Sequence, residues 1–193
     1  ETKEMNEDDR GVIVTFYSFK GGSGRTMALA NTAWILASAG KRVLMVDWDL
    51  ESPGLHRFFE PFLDADTIGG NSGVIDMIKS YQWAVSRSRD QPLDQERMRE
   101  HARVGPHVVP LRWTFPAGGG LDLLSAGRQD RNYSAAVASL DWDNFYDRLG
   151  GGQFFDAVRE DMRSEYDYAL IDSRTGHSDI AAICTVHLPD VLV

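Results

Sequence analysis

Cysteine is almost missing from this sequence: Cys184 stands alone in 193 residues. One cysteine makes no internal disulfide, no C-x-x-C pair and no ferredoxin-type cluster, which favours a reducing, intracellular setting. Long apolar runs are missing too, and nothing approaches the roughly 18 consecutive apolar residues of a membrane-spanning helix. The opening ETKEMNEDDR has no apolar signal core, which argues against secretion. Basic charge is in deficit, with 20 Lys plus Arg against 29 Asp plus Glu and a formal net charge of −9. That balance opposes non-specific binding of the whole chain to DNA or to an anionic membrane, and leaves only a local basic patch for either task. No His, Cys and Asp cluster has zinc spacing, and Ser173 lacks the G-x-S-x-G surroundings of a nucleophile elbow. Internal repeats and low-complexity blocks are absent.

The length and the 42% hydrophobic content suit one well-filled domain. Residues 1–10 are acid-rich and read as a flexible lead-in to a domain over 11–193. The first residue is Glu1 rather than Met, and Pro189–Val193 reads as a strand just beginning, so the domain is expected to be cut, and incomplete at its C-terminal end. Val12–Phe16 is a β-branched and aromatic run fit for a buried parallel strand. A glycine-rich turn follows, and residues 25–39 read as a helix with Ala30, Ala33, Trp34 and Ala37 on one face and Gly40 as its stop. Val43–Val46 is a second strand, which completes a β–α–β unit and predicts an α/β fold, a mostly parallel sheet with helices on both faces. Beyond it, residues 55–62 and 73–83 read as short helices, and 86–103 as a charge-mixed solvated helix face. Val108–Leu111 and Leu121–Leu124 read as strands. Residues 141–149 and 153–164 read as helices, separated by Gly150, Gly151 and Gly152. Tyr168–Ile171 is a further buried strand that runs into Asp172.

The chemistry concentrates in Lys20-Gly21-Gly22-Ser23-Gly24-Arg25-Thr26, which lies between a strand and a helix. In that setting backbone N–H groups point inward and the helix N-terminus adds partial positive charge, an arrangement suited to phosphate. Against the general pattern G-x-x-x-x-G-K-[ST] the loop departs twice, with Phe19 in place of the first Gly and Arg25 in place of the Lys. Against the deviant pattern K-G-G-x-G-K-[ST] only Arg25 departs. Asp47 and Asp49 close the second strand and Asp172 closes a later one. Ligands of open α/β sheets bind at the carboxyl ends of strands, and three acids there suit a hydrated Mg²⁺ and an attacking water.

On these residues, and on Glu165–Asp172, the chain resembles the ParA/MinD family of deviant Walker A P-loop ATPases. Tyr17–Lys20 and Ala28–Asn31 look most like its Arg-containing (KGGxGRT) modules, which occur in large bacterial multidomain proteins. The resemblance implies that Lys20 reaches a nucleotide phosphate, commonly across a dimer interface, and that Gly21, Gly22, Ser23 and Gly24 supply backbone N–H groups. It implies Thr26 as a Mg²⁺ ligand, Asp47 as the holder of a Mg²⁺-bound water, Asp49 as the acid that orients the attacking water, and Asp172 as the Walker B acid with Ser173–Gly176 as a switch. The segment after the last matching strand supplies base contacts in this family, so ATP rather than GTP follows from likeness alone. Lys20 and Asp49 are therefore the expected catalytic residues, residues 20–26 the nucleotide contacts, and Thr26, Asp47 and Asp172 the metal set.

The function expected is a Mg²⁺-ATP-binding, slowly hydrolysing ATPase. It would pair as a homodimer in the ATP state, act on attached or partner domains of a larger bacterial cytoplasmic protein, and lack direct membrane or nucleic-acid contact. Arg25 makes hydrolysis slow in this reading, because Arg is a planar fork with a longer reach and Lys a compact point charge. One alternative is a non-hydrolysing nucleotide sensor or scaffold. A second is a phosphotransferase of the bacterial tyrosine-kinase type, which shares the loop and a Gly120–Leu124-like strand. Arg174 is expected either to sense the γ-phosphate or to pair with an acid. Trp48 is expected in the core or against a partner, Trp34 and Trp142 in the core, His177 and His187 as ordinary surface or packed histidines, and Cys184 as a small buried hydrophobe.

Overall fold

A computed structural model describes residues 10–64, 70–88, 93–175 and 182–193. The described residues build a six-stranded sheet in the order β3-β4-β2-β5-β1-β6. The strands are β1 (Val12–Phe16), β2 (Arg42–Asp47), β3 (Val108–Pro110), β4 (Gly120–Leu124), β5 (Tyr168–Asp172) and β6 (Val191–Leu192). All neighbours pair parallel except β3, which runs antiparallel on β4 at the sheet edge. Central β2 and β5 are covered on both faces, which explains their near-continuous apolar sequences.

Alternation along β2 sorts the core into two layers. Val43 and Met45 face α1 (Arg25–Ser38) and a 3₁₀ helix at Leu55–Phe62, together with Leu29, Ala33, Ala37 and Phe59. Leu44 and Val46 face the opposite layer. That layer is built by α2 (Val74–Arg87), α3 (Gln95–Ala102), α4 (Tyr133–Ala138), α5 (Trp142–Asp147) and α6 (Gly151–Glu165). Its centre is aromatic: Tyr81 stacks on Phe154 at 4.5 Å, and Phe145 packs between Phe154 and Phe155. The alanines that α1 turns inward allow close approach to the sheet, and a Cβ on Gly119 would lie 2.0 Å from the carbonyl oxygen of Ala37.

Several expectations need correction. Gly151 and Gly152 belong to the first turn of α6, and Gly150, with φ of 75°, is its cap. Gly151 is required there because Phe145 packs 2.2 Å from the place a Cβ would take. The polar stretch 86–103 is not one helix: α2 runs to Arg87, and α3 starts after an Asp94 cap whose Oδ1 accepts from the Arg97 amide. The short helix α4 was not expected at all. Trp34 is only partly buried, at the centre of an open aromatic group with Phe62, Trp113 and Phe115. Trp142 is likewise half-buried at the margin of its layer. Trp48 is core, 2% exposed against Phe155, and Cys184 is buried, its thiol pushed up to about 12 by desolvation. The acid-rich lead-in 1–9 and His177 lie outside the described residues. Among the described residues no helix is long and apolar enough to cross a membrane.

Candidate functional site

The sheet order places β5 between β1 and β2, so three strands deliver their carboxyl ends side by side. The register puts Phe16 opposite Asp172 and Asp47 opposite Asp172, which brings β2 and β5 acids together. Backbone bonds hold the ends level: the Ser173 amide donates to the Phe16 carbonyl at 3.2 Å, and the Trp48 amide to the Asp172 carbonyl at 3.0 Å.

The glycine-rich turn leaves β1 beside these acids and opens α1. Gly22 and Gly24 have φ of 76° and 83°, the left-handed region where a side chain is strained. Among the described residues, no atom beyond the adjoining chain lies within 4 Å of a Cβ built on Gly21 or Gly22, so these residues leave the space over the turn open. Gly24 caps α1 without a side-chain bond, and the first turn of α1 carries no acid. Its leading N–H groups therefore face that space with partial positive charge and, among the described residues, no side-chain cap. Ser23 and Lys20 are exposed on the turn, and Thr26 is half-buried in the first turn of the helix. The Ser18 hydroxyl donates to the Lys20 carbonyl at 3.1 Å, which ties the turn to its base.

Arg25 points away from the turn and into the acids. Its Nε donates to Asp172 Oδ1 at 2.6 Å, and its Nη2 lies 3.5 Å from Asp49 Oδ2. Its side chain is 9% exposed, and Nη1 is buried with no hydrogen-bond partner among the described residues. Asp47 is 1% exposed. Its Oδ2 accepts the Gly54 and Leu55 amides, both at 3.0 Å, while Oδ1 is buried without a partner among the described residues. Burial pushes the Asp47 carboxyl up to about 7, with Asp172 and Asp49 adding to the rise and the two amides opposing it. Asp49 is raised by desolvation as well, opposed chiefly by Arg25.

The three acids are hard oxygen donors of the kind Mg²⁺ takes, and the unpartnered Oδ1 of Asp47 is one such donor unused by the protein. Among the described residues no three His, Cys, Asp or Glu side chains converge as a metal cage. Mg²⁺ commonly needs only one or two carboxylates, with waters and phosphates completing its shell, so these residues fit it.

Sequence reasoning missed four neighbours of the site. The Tyr133 hydroxyl donates to the Leu50 carbonyl at 2.8 Å and so pins the segment that carries Asp49. The Gly54 and Leu55 amides orient Asp47. Glu51 takes Arg174 in an ion pair at the mouth of the site, which decides for pairing with an acid in this state. None of these has a local pattern that announces it. His187 pairs with Asp156 at 3.0 Å, remote from the acids in role, and Asn31 is exposed on α1.

A family model described as the CobQ/CobB/MinD/ParA nucleotide binding domain matches residues 14–171, which carry the turn, the helix it opens, Asp47 and Asp49, and end one residue before Asp172. The chain belongs to this family. Over 94 residues, 49% of this chain and 37% of the relative, it is 37% identical to the tyrosine-protein kinase YwqD of Bacillus subtilis. Among solved structures it is similar to the septum site-determining protein MinD of Pyrococcus horikoshii complexed with Mg-ADP. The TM-score is 0.59 at 20% identity, covering 95% of this chain and 57% of that one. It is also similar to a ParA family ATPase of Chlorobium tepidum, with a TM-score of 0.54 at 18% identity, covering 94% of this chain and 59% of that one. The chain thus spans less than two thirds of each, and the two structures establish the fold. A ParA/MinD-like nucleotide-binding domain accounts for the mostly parallel sheet, the open glycine turn and the acids at the strand ends.

Proposed function

We propose that this domain binds Mg²⁺-ATP and hydrolyses it slowly, as a nucleotide switch that pairs in its ATP state and signals to attached or partner domains. The observation that carries this reading is the meeting of an uncapped, open glycine turn with Asp47, Asp49 and Asp172 on adjacent strand ends. The Mg²⁺-ADP held by the similar MinD supports the choice of ligand.

In this reading the amides of residues 21–24 and the start of α1 receive the phosphates, and Lys20 adds a mobile charge at the exposed rim. Thr26, Asp47 and Asp172 would hold Mg²⁺, which neutralises phosphate charge when bound. Asp49 is held on its loop by Ser52 and Tyr133, near enough to Arg25 and Asp172 to orient a water toward the phosphate. A carboxylate raised by desolvation is a better proton acceptor than a solvated one, which suits Asp49 to that task. Arg25 must leave Asp172 and Asp49 before it contacts phosphate, and that displacement opposes fast turnover.

The experiment is Mg²⁺-dependent ATP and GTP binding with phosphate release, wild type beside Asp49→Ala. Binding in both with release lost only in the variant is expected. Equal release by the two refutes Asp49 as the water-orienting acid. Binding without release in the wild type replaces the switch with a non-hydrolysing sensor, the alternative that Arg25 favours. The likeness to a tyrosine kinase supports a second reading, phosphoryl transfer to tyrosine, and label moving from [γ-³²P]ATP to a tyrosine peptide instead of to water selects it.

A further inference from the structure

Arg25 does something that a phosphate ligand alone does not explain. It sits at the first position of α1, straight after Gly24, yet its guanidinium lies in the acid cluster and spans Asp172 at the end of β5 and Asp49 on the loop after β2. Asp47, Asp49 and Asp172 gather here, and among the described residues Arg25 is the cation in direct contact with Asp49 and Asp172, while Arg174, paired with Glu51, acts on Asp49 from farther off. Carboxylates so placed can serve a divalent cation one or two at a time, with waters or phosphate completing its shell. The guanidinium occupies this place first, tethered to the chain and therefore always present, donating a hydrogen bond to Asp172 and ion-paired with Asp49. The fork is what allows this: a lysine ammonium is a point charge and closes on one carboxylate at a time. The closed arrangement also leaves Arg25 Nη1 and Asp47 Oδ1 buried and without a hydrogen-bond partner among the described residues, so both have bonds to gain in another state.

We propose that Arg25 is a specificity-determining residue that shuts the Asp49–Asp172 acid pair against free divalent cations and admits one only together with nucleotide. Phosphates seated on the glycine turn give the guanidinium a competing anionic partner, and its departure uncovers the carboxylates. The helix backbone stays in place, because only the Arg25 side chain needs to swing. The proposal rests on the Mg²⁺-nucleotide reading above.

The test is Mn²⁺ binding to the nucleotide-free protein by electron paramagnetic resonance, for wild type, Arg25→Lys and Arg25→Gln, with a parallel titration of wild type in the presence of ADP. Wild type should bind free Mn²⁺ at least tenfold more weakly than Arg25→Gln, with Arg25→Lys between them, and adding ADP should restore tight Mn²⁺ uptake to wild type. Combining Asp172→Asn with Arg25→Gln should weaken Mn²⁺ binding again, which places the ion at these acids. Equal affinity of wild type and Arg25→Gln for free Mn²⁺, while wild type still takes Mn²⁺ with ADP, overturns the proposal and leaves the nucleotide reading standing. Failure of wild type to take ADP or ATP, with or without Mn²⁺, overturns that reading and the proposal with it. If Arg25→Gln does not fold, the Arg25 Nε–H resonance of ¹⁵N-labelled wild type decides. It should stay put on adding Mg²⁺ and move on adding Mg²⁺ with ADP, and a shift with Mg²⁺ alone refutes the proposal.

Discussion

Replacing Asp47 by Asn should make the nucleotide-free domain more stable at pH 8 and leave it little changed near pH 4. In the native state this carboxyl is 1% exposed, opposite Asp172 and coupled to Asp49. Burial holds its proton on until about 7, against 3.8 in the unfolded chain. Between those values the folded state binds a proton that the unfolded state has lost, so stability falls as pH rises through the window and levels off above about 7. At about 1.4 kcal/mol per pH unit, the gap between 3.8 and about 7 is worth up to about 4 kcal/mol. Asn is neutral throughout. Its carbonyl oxygen keeps the Gly54 and Leu55 amides satisfied, and its NH₂ replaces an oxygen that has no partner among the described residues. The variant should therefore lack this descent, and its advantage over wild type should grow by up to about 4 kcal/mol between pH 4 and 8. Urea unfolding at pH 4, 5, 6, 7 and 8 in chelator, without nucleotide, measures it, because bound ligand would add its own linkage. Other raised carboxyls such as Asp122 and Asp161 titrate in both proteins and cancel in the difference. Parallel stability curves for the two proteins from pH 4 to 8 would refute the reasoning.

Other outcomes follow from the same geometry. Tyr133→Phe removes the donor to the Leu50 carbonyl and should cost about 1 kcal/mol in urea unfolding; no change would show that the carbonyl finds another partner. Gly119→Ala drives a methyl to 2.0 Å from the Ala37 carbonyl oxygen and should destabilise by about 2 kcal/mol or more in thermal or urea unfolding, since backbone has to shift. Arg25→Lys should release phosphate from Mg²⁺-ATP faster than wild type, because a single ammonium is held by fewer acids than the fork. Equal rates in a coupled phosphate assay would remove Arg25 as the cause of slow turnover.

How much of this was legible in the sequence depends on the range over which each feature is encoded. The glycine turn, the helix it opens and the strands that end at Asp47 and Asp172 are written in contiguous residues, so spacing and periodicity revealed them. The β–α–β unit followed from chain order, and with it the parallel sheet. Short elements held by remote packing were not legible: α4 is six residues long with no side-chain cap, and it exists because Tyr133 and Val137 bury in the far layer. The three glycines at 150–152 looked like a linker, since local propensity disfavours helix there, but Phe145 leaves no room for a larger residue at Gly151 and tertiary contact wins.

The sequence by itself therefore determined the fold class, the phosphate-type turn and which acids stand at strand ends, because hydrophobic periodicity and glycine placement act over a few residues. Only the tertiary structure decided what those groups do to one another. Arg25 meets Asp172 across 147 positions of chain, Tyr133 meets Leu50 across 83, and the insertion of β5 between β1 and β2 is what makes the Asp47 and Asp172 carboxyls neighbours. Burial at that meeting point, which no stretch of sequence displays, raises Asp47 toward neutrality and makes the first residue of α1 the counter-ion of Asp172 and Asp49.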